Sequence, residues 1–408
     1  MRKILFSLEH FLLLLVSLLI LVSPYSRWYS KHILEISCVC FILVLLIKYK
    51  GRFWECFQRN NFLTLPIALF GVVCAATMLL SLSPYHSQKI FINRFLLYLL
   101  AFWMGSFLGA GSKKNILFLT AVFLFSAGTL AIGGIRDYVL YRPQRLFTIF
   151  GARLPFNMLP LFITYFVSFS FSFVLFAHSR ILKIASGVVF IVLLPSFVWQ
   201  DARAAWVSVC AVIVLASSLK GFKHFKAALL VLVLVSCMAL FSNNVRQRIK
   251  TIPFPSQWNY RTPLYSTAFK MFQDHPVVGV GLGMYEKMIK TDKYDLPADY
   301  PNSDHSLYLH PHNVYLEILA EMGLLGFAAF LNFFAVYFIG IFKGLRAIRD
   351  LDLKAAVIAS AMLVVSALIF GISGSIITVG VNETYIFWIF VGLSVGVFIP
   401  KTKGEVNG

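Results

Sequence analysis

Residues 310–342 read HPHNVYLEILAEMGLLGFAAFLNFFAVYFIGIF. From Gly323 to Phe342 the stretch carries no charge. A run of about 20 apolar residues is the length an α-helix needs to cross a bilayer core. Glu317 and Glu321 fall before that run. The segment 312–321 therefore reads as a helical extension above the membrane, with His312 at the interface and not at mid-membrane. Pro311 and Asn313 suit a helix N-terminus.

The rest of the chain repeats the pattern. Apolar residues make up 59% of the 408 residues and charged residues 13%, about half the charge of a typical soluble domain. The expected fold is an all-α polytopic membrane protein with about twelve spans. They lie near 4–22, 32–47, 62–81, 95–112, 115–134, 154–177, 184–200, 204–219, 227–242, 323–342, 355–372 and 384–399. Glu9 and His10 interrupt the first, which is read as an uncleaved span because no small-x-small cleavage site follows it. The chain divides into spans 1–9 over 1–242, a loop domain with an interfacial helix over 243–322, and spans 10–12 with a tail over 323–408.

The net charge of +19 points to membrane orientation and not to nucleic acid. With both termini cytoplasmic, the inner segments collect 19 Lys and Arg and the short outer segments nine. That asymmetry puts the long loop outside. The six cysteines, Cys38, Cys40, Cys56, Cys74, Cys210 and Cys237, show no metal-ligand spacing and read as small buried hydrophobes.

Three positions carry candidate chemistry. His312 titrates in the range where an imidazole can take a proton from a hydroxyl; a capping histidine is the alternative, and His310 is its near rival. Arg203, in Gln200-Asp201-Ala202-Arg203-Ala204-Ala205-Trp206, stands at the rim of a span. It suits either an Asp201 pair, a headgroup anchor or a grip on diphosphate. Arg261 precedes an amphipathic helix with Leu264, Ala268 and Met271 on one face, and an ordinary loop arginine is the other reading. Gly279-Val280-Gly281-Leu282-Gly283 lacks the βαβ setting of a dinucleotide fingerprint. It reads as a turn that lets backbone approach closely. Asp292, Asp295, Asp299 and Asp304 match no calcium loop, and no metal is assigned. Loop aromatics such as Tyr285 and Tyr294 suit sugar stacking or interfacial anchoring equally.

Taken in order, Ala202-Arg203-Ala204-Ala205-Trp206, Arg261 ahead of His275-Pro276-Val277-Val278-Gly279-Val280-Gly281, and His312-Asn313-x9-Gly323-x-x-Gly326 resemble the O-antigen ligase / O-antigen polymerase superfamily. The resemblance covers about 200–342 and is nearest to the ligases. Ala202 departs from the Ser or Thr frequent before that arginine.

The resemblance implies a GT-C-like, metal-independent, inverting glycosyltransferase of the bacterial inner membrane, facing the periplasm and using no cofactor. Its donor would be O-antigen on undecaprenyl diphosphate and its acceptor a sugar hydroxyl of lipid A–core. Membrane lipids would surround it, with no nucleic-acid partner. By motif match, His312 takes the essential histidine position and Arg203 and Arg261 the two essential arginines. His310, Asn313, Gly323 and Gly326 would support them. The alternatives are a polymerase with a second lipid-linked repeat as acceptor, a protein O-glycosyltransferase, and a lipid-linked glycan transporter without chemistry.

Overall fold

Helices stand at every predicted span. The computed structural model describes residues 2–49, 62–141, 148–149, 152–153, 158–200, 202–241, 246, 261–294, 296, 310–374 and 382–399. In chain order the helices are α1 (Arg2–Val22), α2 (Arg27–Tyr49), α3 (Thr64–Leu79), α4 (Pro84–Ile90), α5 (Leu97–Gly111), α6 (Lys113–Tyr141), α7 (Met158–Phe176) and α8 (Arg180–Trp199). They continue with α9 (Arg203–Lys220), α10 (Phe222–Phe241), α11 (Thr262–Asp274), α12 (Tyr285–Met288), α13 (Val314–Gly344), α14 (Leu351–Phe370) and α15 (Asn382–Gly396). Among the described residues nine helical segments are long and apolar enough to cross a membrane, and Thr64–Leu79 and Thr384–Gly396 are shorter apolar helices.

Three details differ from the sequence expectation. Thr148–Ile149 and Ala152–Arg153 form a small antiparallel ladder, the only strands among the described residues. The span expected at 95–112 is part of one helical run from Pro84 to Gly111, joined by a π-helical turn at Phe91–Leu96. Helix α13 runs from the expected extension over 312–321 into the span that follows, and its backbone breaks at Gly323. Cys38, Cys40 and Cys74 are buried as expected, but Cys210 is half-buried and Cys237 exposed. Cys56 lies outside the described residues.

The centre of the bundle is α7 and α14. Both are apolar almost all round and buried on nearly every face, the signature of a helix inside a bundle. Several of their hydroxyls are satisfied within the helix: Thr164, Ser170 and Ser172 donate to the carbonyls of Pro160, Phe166 and Ser168 at 2.6–2.7 Å. In hydrocarbon a polar group must find such a partner locally.

Side-chain contacts fix which helix ends lie together. At one end, the Asp352 carboxylate at the start of α14 accepts from the N–H groups of His178 and Ser179, just beyond α7. There too, Lys113 at the start of α6 pairs with Asp350. At the other end, the Tyr315 hydroxyl at the start of α13 donates to the Leu368 carbonyl near the end of α14, at 2.7 Å. Helix α9 packs on α14 through Val212 and Ala216 against Ile358 and Met362. The α7–α8–α9 hairpins make α9 parallel to α7, hence antiparallel to α14. At 1.5 Å of rise per residue, Arg203 therefore stands level with the last turn of α14.

Helices α5 and α15 run parallel and in close contact through two glycine pairs. A Cβ on Gly105 or Gly109 would strike the Ile389 or Leu393 carbonyl, and one on Gly392 or Gly396 would strike that of Phe102 or Ser106. This is small-xxx-small packing on both partners, the way membrane helices approach without hydrophobic drive between them.

Candidate functional site

The site is built around the start and the break of α13. Asn313 adopts extended backbone, and its side-chain oxygen accepts from the N–H groups of Tyr315 and Leu316 at 3.0 and 3.1 Å. An N-cap of this kind satisfies donors that a helix start leaves open. The cap holds His312 directly before it at φ 52°, the one non-glycine residue with positive φ among those described. A β-carbon is disfavoured in that region, so the imidazole's position is imposed by its surroundings.

Ten residues into the motif the helix breaks. Gly323 has φ 61° and ψ −161°, a backbone region open in practice only to glycine. The break frees backbone groups, and the segment after α11 takes them up. The N–H groups of Leu324 and Leu325 donate to the carbonyls of Pro276 and Val277 at 2.8 and 3.2 Å. In return, Val280 and Gly281 N–H donate to the carbonyls of Ala320 and Glu321, both at 2.9 Å. The His275–Gly283 stretch and the His312-Asn313-x9-Gly323 stretch are thus two halves of one structure.

The glycines of the loop serve this contact. Gly279, Gly281 and Gly283 all have positive φ. A Cβ at each would strike, respectively, the Glu321 backbone, Ser81 and Ile90. On its far side the loop meets the turn before α4: Leu82 N–H donates to the Val280 carbonyl at 3.1 Å, and His86 Nε2 to the Gly283 carbonyl at 3.2 Å. The expectation of a turn for close backbone approach matches this geometry.

Two carboxylates one turn apart sit beneath the loop. Glu321 is 6% exposed; its two oxygens accept from Gly283 and Tyr285 N–H at 2.8 and 3.0 Å. Glu317 is 1% exposed and lies 3.1 Å from Nδ1 of His310. Burial works against a charge on His310, but the facing Glu317 carboxylate outweighs it and holds the imidazole above its ordinary value.

Beside this pair opens a cavity of about 80 Å³ between α3, the π turn, α5, α13 and α15, lined by apolar side chains such as Phe95, Phe330 and Trp388. Arg94 and Glu321 are its charged members. The π turn is what brings Arg94 there, and such turns recur at functional sites.

Both sequence-singled arginines stand at this end of the bundle. Arg261 is the residue before α11 and donates through Nη1 to the Ser373 carbonyl, 3.2 Å away, and to the Ser373 hydroxyl. Helix α11 buries Leu264, Ala268 and Met271 as its pattern requires. Together with Val280, Tyr285, Tyr294 and Ala320 they form a second small core on the first segment of α13. Arg203 is the first residue of α9 and half-buried. Trp206 Nε1 donates to the Phe197 carbonyl at 3.2 Å, tying that helix start to the end of α8. Asp201, its expected pairing alternative, lies outside the described residues, as do Asp295, Asp299 and Asp304.

Residues 188–331 match the family model described as O-antigen ligase. That segment, about a third of the chain, is what is similar to the O-antigen ligase family. Its limits enclose Arg203, Arg261, the Gly279–Gly283 loop, His310, His312, Asn313, Gly323 and Gly326. The O-antigen ligase family takes in ligases and polymerases alike, glycosyltransferase-like enzymes of lipid-linked glycans. A search of curated proteins finds no match.

Three features of the matched segment and its surroundings escaped the sequence reading. Arg94 counted there only as one of the nine Lys and Arg of the short outer segments. Glu317 and Glu321 appeared only as markers of a helical extension, although two acids four residues apart before an uncharged span share one helix face. Gln200 is buried, and neither polar atom of its amide has a partner among the described residues.

Proposed function

We propose that the protein is an O-antigen ligase, transferring polysaccharide from undecaprenyl diphosphate to a sugar hydroxyl of lipid A–core. It would act at the periplasmic face of the bacterial inner membrane, with both termini cytoplasmic. The observation that carries this reading is the gathering of His312, Arg203 and Arg261, far apart in sequence, at one end of the bundle.

In this reading Arg203 and Arg261 bind the diphosphate and stabilise the charge that grows on it as the glycosidic bond breaks. His312 takes the proton of the acceptor hydroxyl, whose oxygen attacks the anomeric carbon from the face opposite the diphosphate. The carbon–oxygen bond to the diphosphate breaks with its electron pair, and the configuration inverts. The donor brings its own activated leaving group, so the step requires neither ATP nor a metal. The apolar slot beside Gly283 suits the lipid end of such a donor.

The test is reconstitution of purified protein with lipid A–core and an undecaprenyl-diphosphate-linked polysaccharide, without metal or ATP. A ladder of glycosylated lipid A–core that disappears in His312→Ala is the expected result. Extension of lipid-linked repeats in place of that ladder would make the protein a polymerase.

A further inference from the structure

We propose that Glu317 and Glu321 are positioning residues for the transfer, acting on His312 from below. The proposal rests on the functional reading above and deepens it. Neither carboxylate reaches solvent to any extent, although both lie near the start of a helix that is long and apolar enough to cross a membrane. A buried carboxylate is retained only where its partners compensate the loss of water. Each of these has a partner in a different part of the site. Glu321 spends one oxygen on Gly283 N–H and the other on Tyr285 N–H. It thereby fixes the glycine loop to the helix two residues before the break. Glu317 holds Nδ1 of His310. His310 is two residues from His312, and the intervening Pro311 has its φ locked by its ring.

The left-handed backbone at His312 is therefore gripped from both sides. Asn313 caps the helix after it, and the His310–Glu317 pair anchors the chain before it. Glu321 sets the height of the loop beneath. The charged and titratable groups around His310 are Glu317 and Glu321 from its own side and Arg94 from the π turn. Tyr98 stands next to Glu317 from α5. Of these, Glu317 makes the direct bond.

The two acids differ in what a neutral amide would do. At 317 an amide oxygen can still accept from His310, so Glu317→Gln removes charge and keeps the bond. At 321 both oxygens accept from N–H groups, so Glu321→Gln must set an NH2 against one of them and break that anchor.

The experiment combines steady-state transfer across pH, thermal unfolding, and a nuclear magnetic resonance titration of His310 in detergent, for wild type and both variants. Glu317→Gln is expected to lower kcat by about tenfold or more, the scale of a small misplacement. Donor KM should change by less than about twofold. The protonation midpoint of His310 should move to lower pH, and any alkaline loss of activity should move with it. Glu321→Gln should lower kcat without moving that midpoint to a comparable extent. The proposal fails if Glu317→Gln keeps wild-type kcat at every pH, or loses only thermal stability while its pH profile stays in place. A wild-type protein that transfers nothing defeats the functional reading and the positioning role with it. A midpoint shift in that case would still show the His310–Glu317 pair itself to be real, so the two failures are separable.

Discussion

Gly279 and Gly323 each occupy the space that the other segment's side chain would need. A Cβ on Gly279 would meet the Glu321 backbone, and a Cβ on Gly323 would meet the Val277 backbone. Both have positive φ. The loop after α11 and the break in α13 therefore exist only together, each supplying the hydrogen bonds the other lacks. Non-helical backbone near a membrane needs this kind of internal satisfaction.

Alanine at 323 is expected to fail on two counts. It places a β-carbon in a backbone region that costs about 1–3 kcal/mol, and it forces the loop away from the helix. Gly323→Ala should lower the apparent Tm in detergent by several degrees, roughly the effect of 1–3 kcal/mol, and abolish transfer. An active, equally stable Gly323→Ala protein would show that the break is dispensable.

Asn313 acts through geometry and not through charge. Its oxygen accepts two backbone N–H groups, so loss of the cap should cost about 1 kcal/mol. Asn313→Ala should reduce kcat more than it reduces stability, because the residue released is His312. Asn313→Ser, which can cap equally well, should restore most of the rate. Parallel kinetics and melting curves of the two variants decide this, and equal rates in both would remove the link between cap and base.

Arg261 is held by both oxygens of Ser373, at the end of α14. The planar fork can bond Ser373 and still face an anion, whereas the point charge of lysine cannot reproduce that placement. Arg261→Lys should lower kcat/KM for the lipid-linked donor by about ten- to a hundredfold, the worth of a lost charge-assisted bond. Ser373→Ala should give a smaller loss in the same direction. Donor-dependence measured for both checks it, and an unaffected Arg261→Lys enzyme would take the arginine out of the donor site.

How much was legible in the sequence follows from the range of each signal. Hydropathy is local, so the helices over 4–22 and 355–372 were readable from composition. The amphipathic face of α11 was readable for the same reason, since Leu264, Ala268 and Met271 recur at helical spacing. The break at Gly323 appeared only as the edge of an uncharged run, because its cause is a loop some 40 residues earlier. The partners of Glu317 and Glu321 were hidden likewise: acids four apart are visible, but a pair of loop N–H groups is not. The π turn at Phe91–Leu96 carries Asn93 and Arg94 into the helical run, but one extra residue per turn alters no hydropathy pattern, so Arg94 read only as a charge ahead of a span.

The α5–α15 contact gives the clearest structural test, because four glycines make it and none has a positive φ. Their role is closeness alone. Alanine would favour each helix by about 1 kcal/mol if it were isolated, so any destabilisation must come from the helix pair. Gly392→Ala drives its methyl into the Phe102 carbonyl, and Gly105→Ala drives one into that of Ile389. The helices must then separate, widening the cavity that Phe102 and Trp388 line. Overpacking of this kind costs about 1–3 kcal/mol, so both variants should melt several degrees lower. The control is Gly128→Ala in α6, where the nearest neighbour, Val189, is 3.9 Å from the new carbon. That variant should be as stable as wild type or more so. Were Gly392→Ala and Gly128→Ala to melt together, the close approach of α5 and α15 would be wrong. Were Gly392→Ala to melt lower yet transfer normally, the cavity between these helices would have no part in binding the donor.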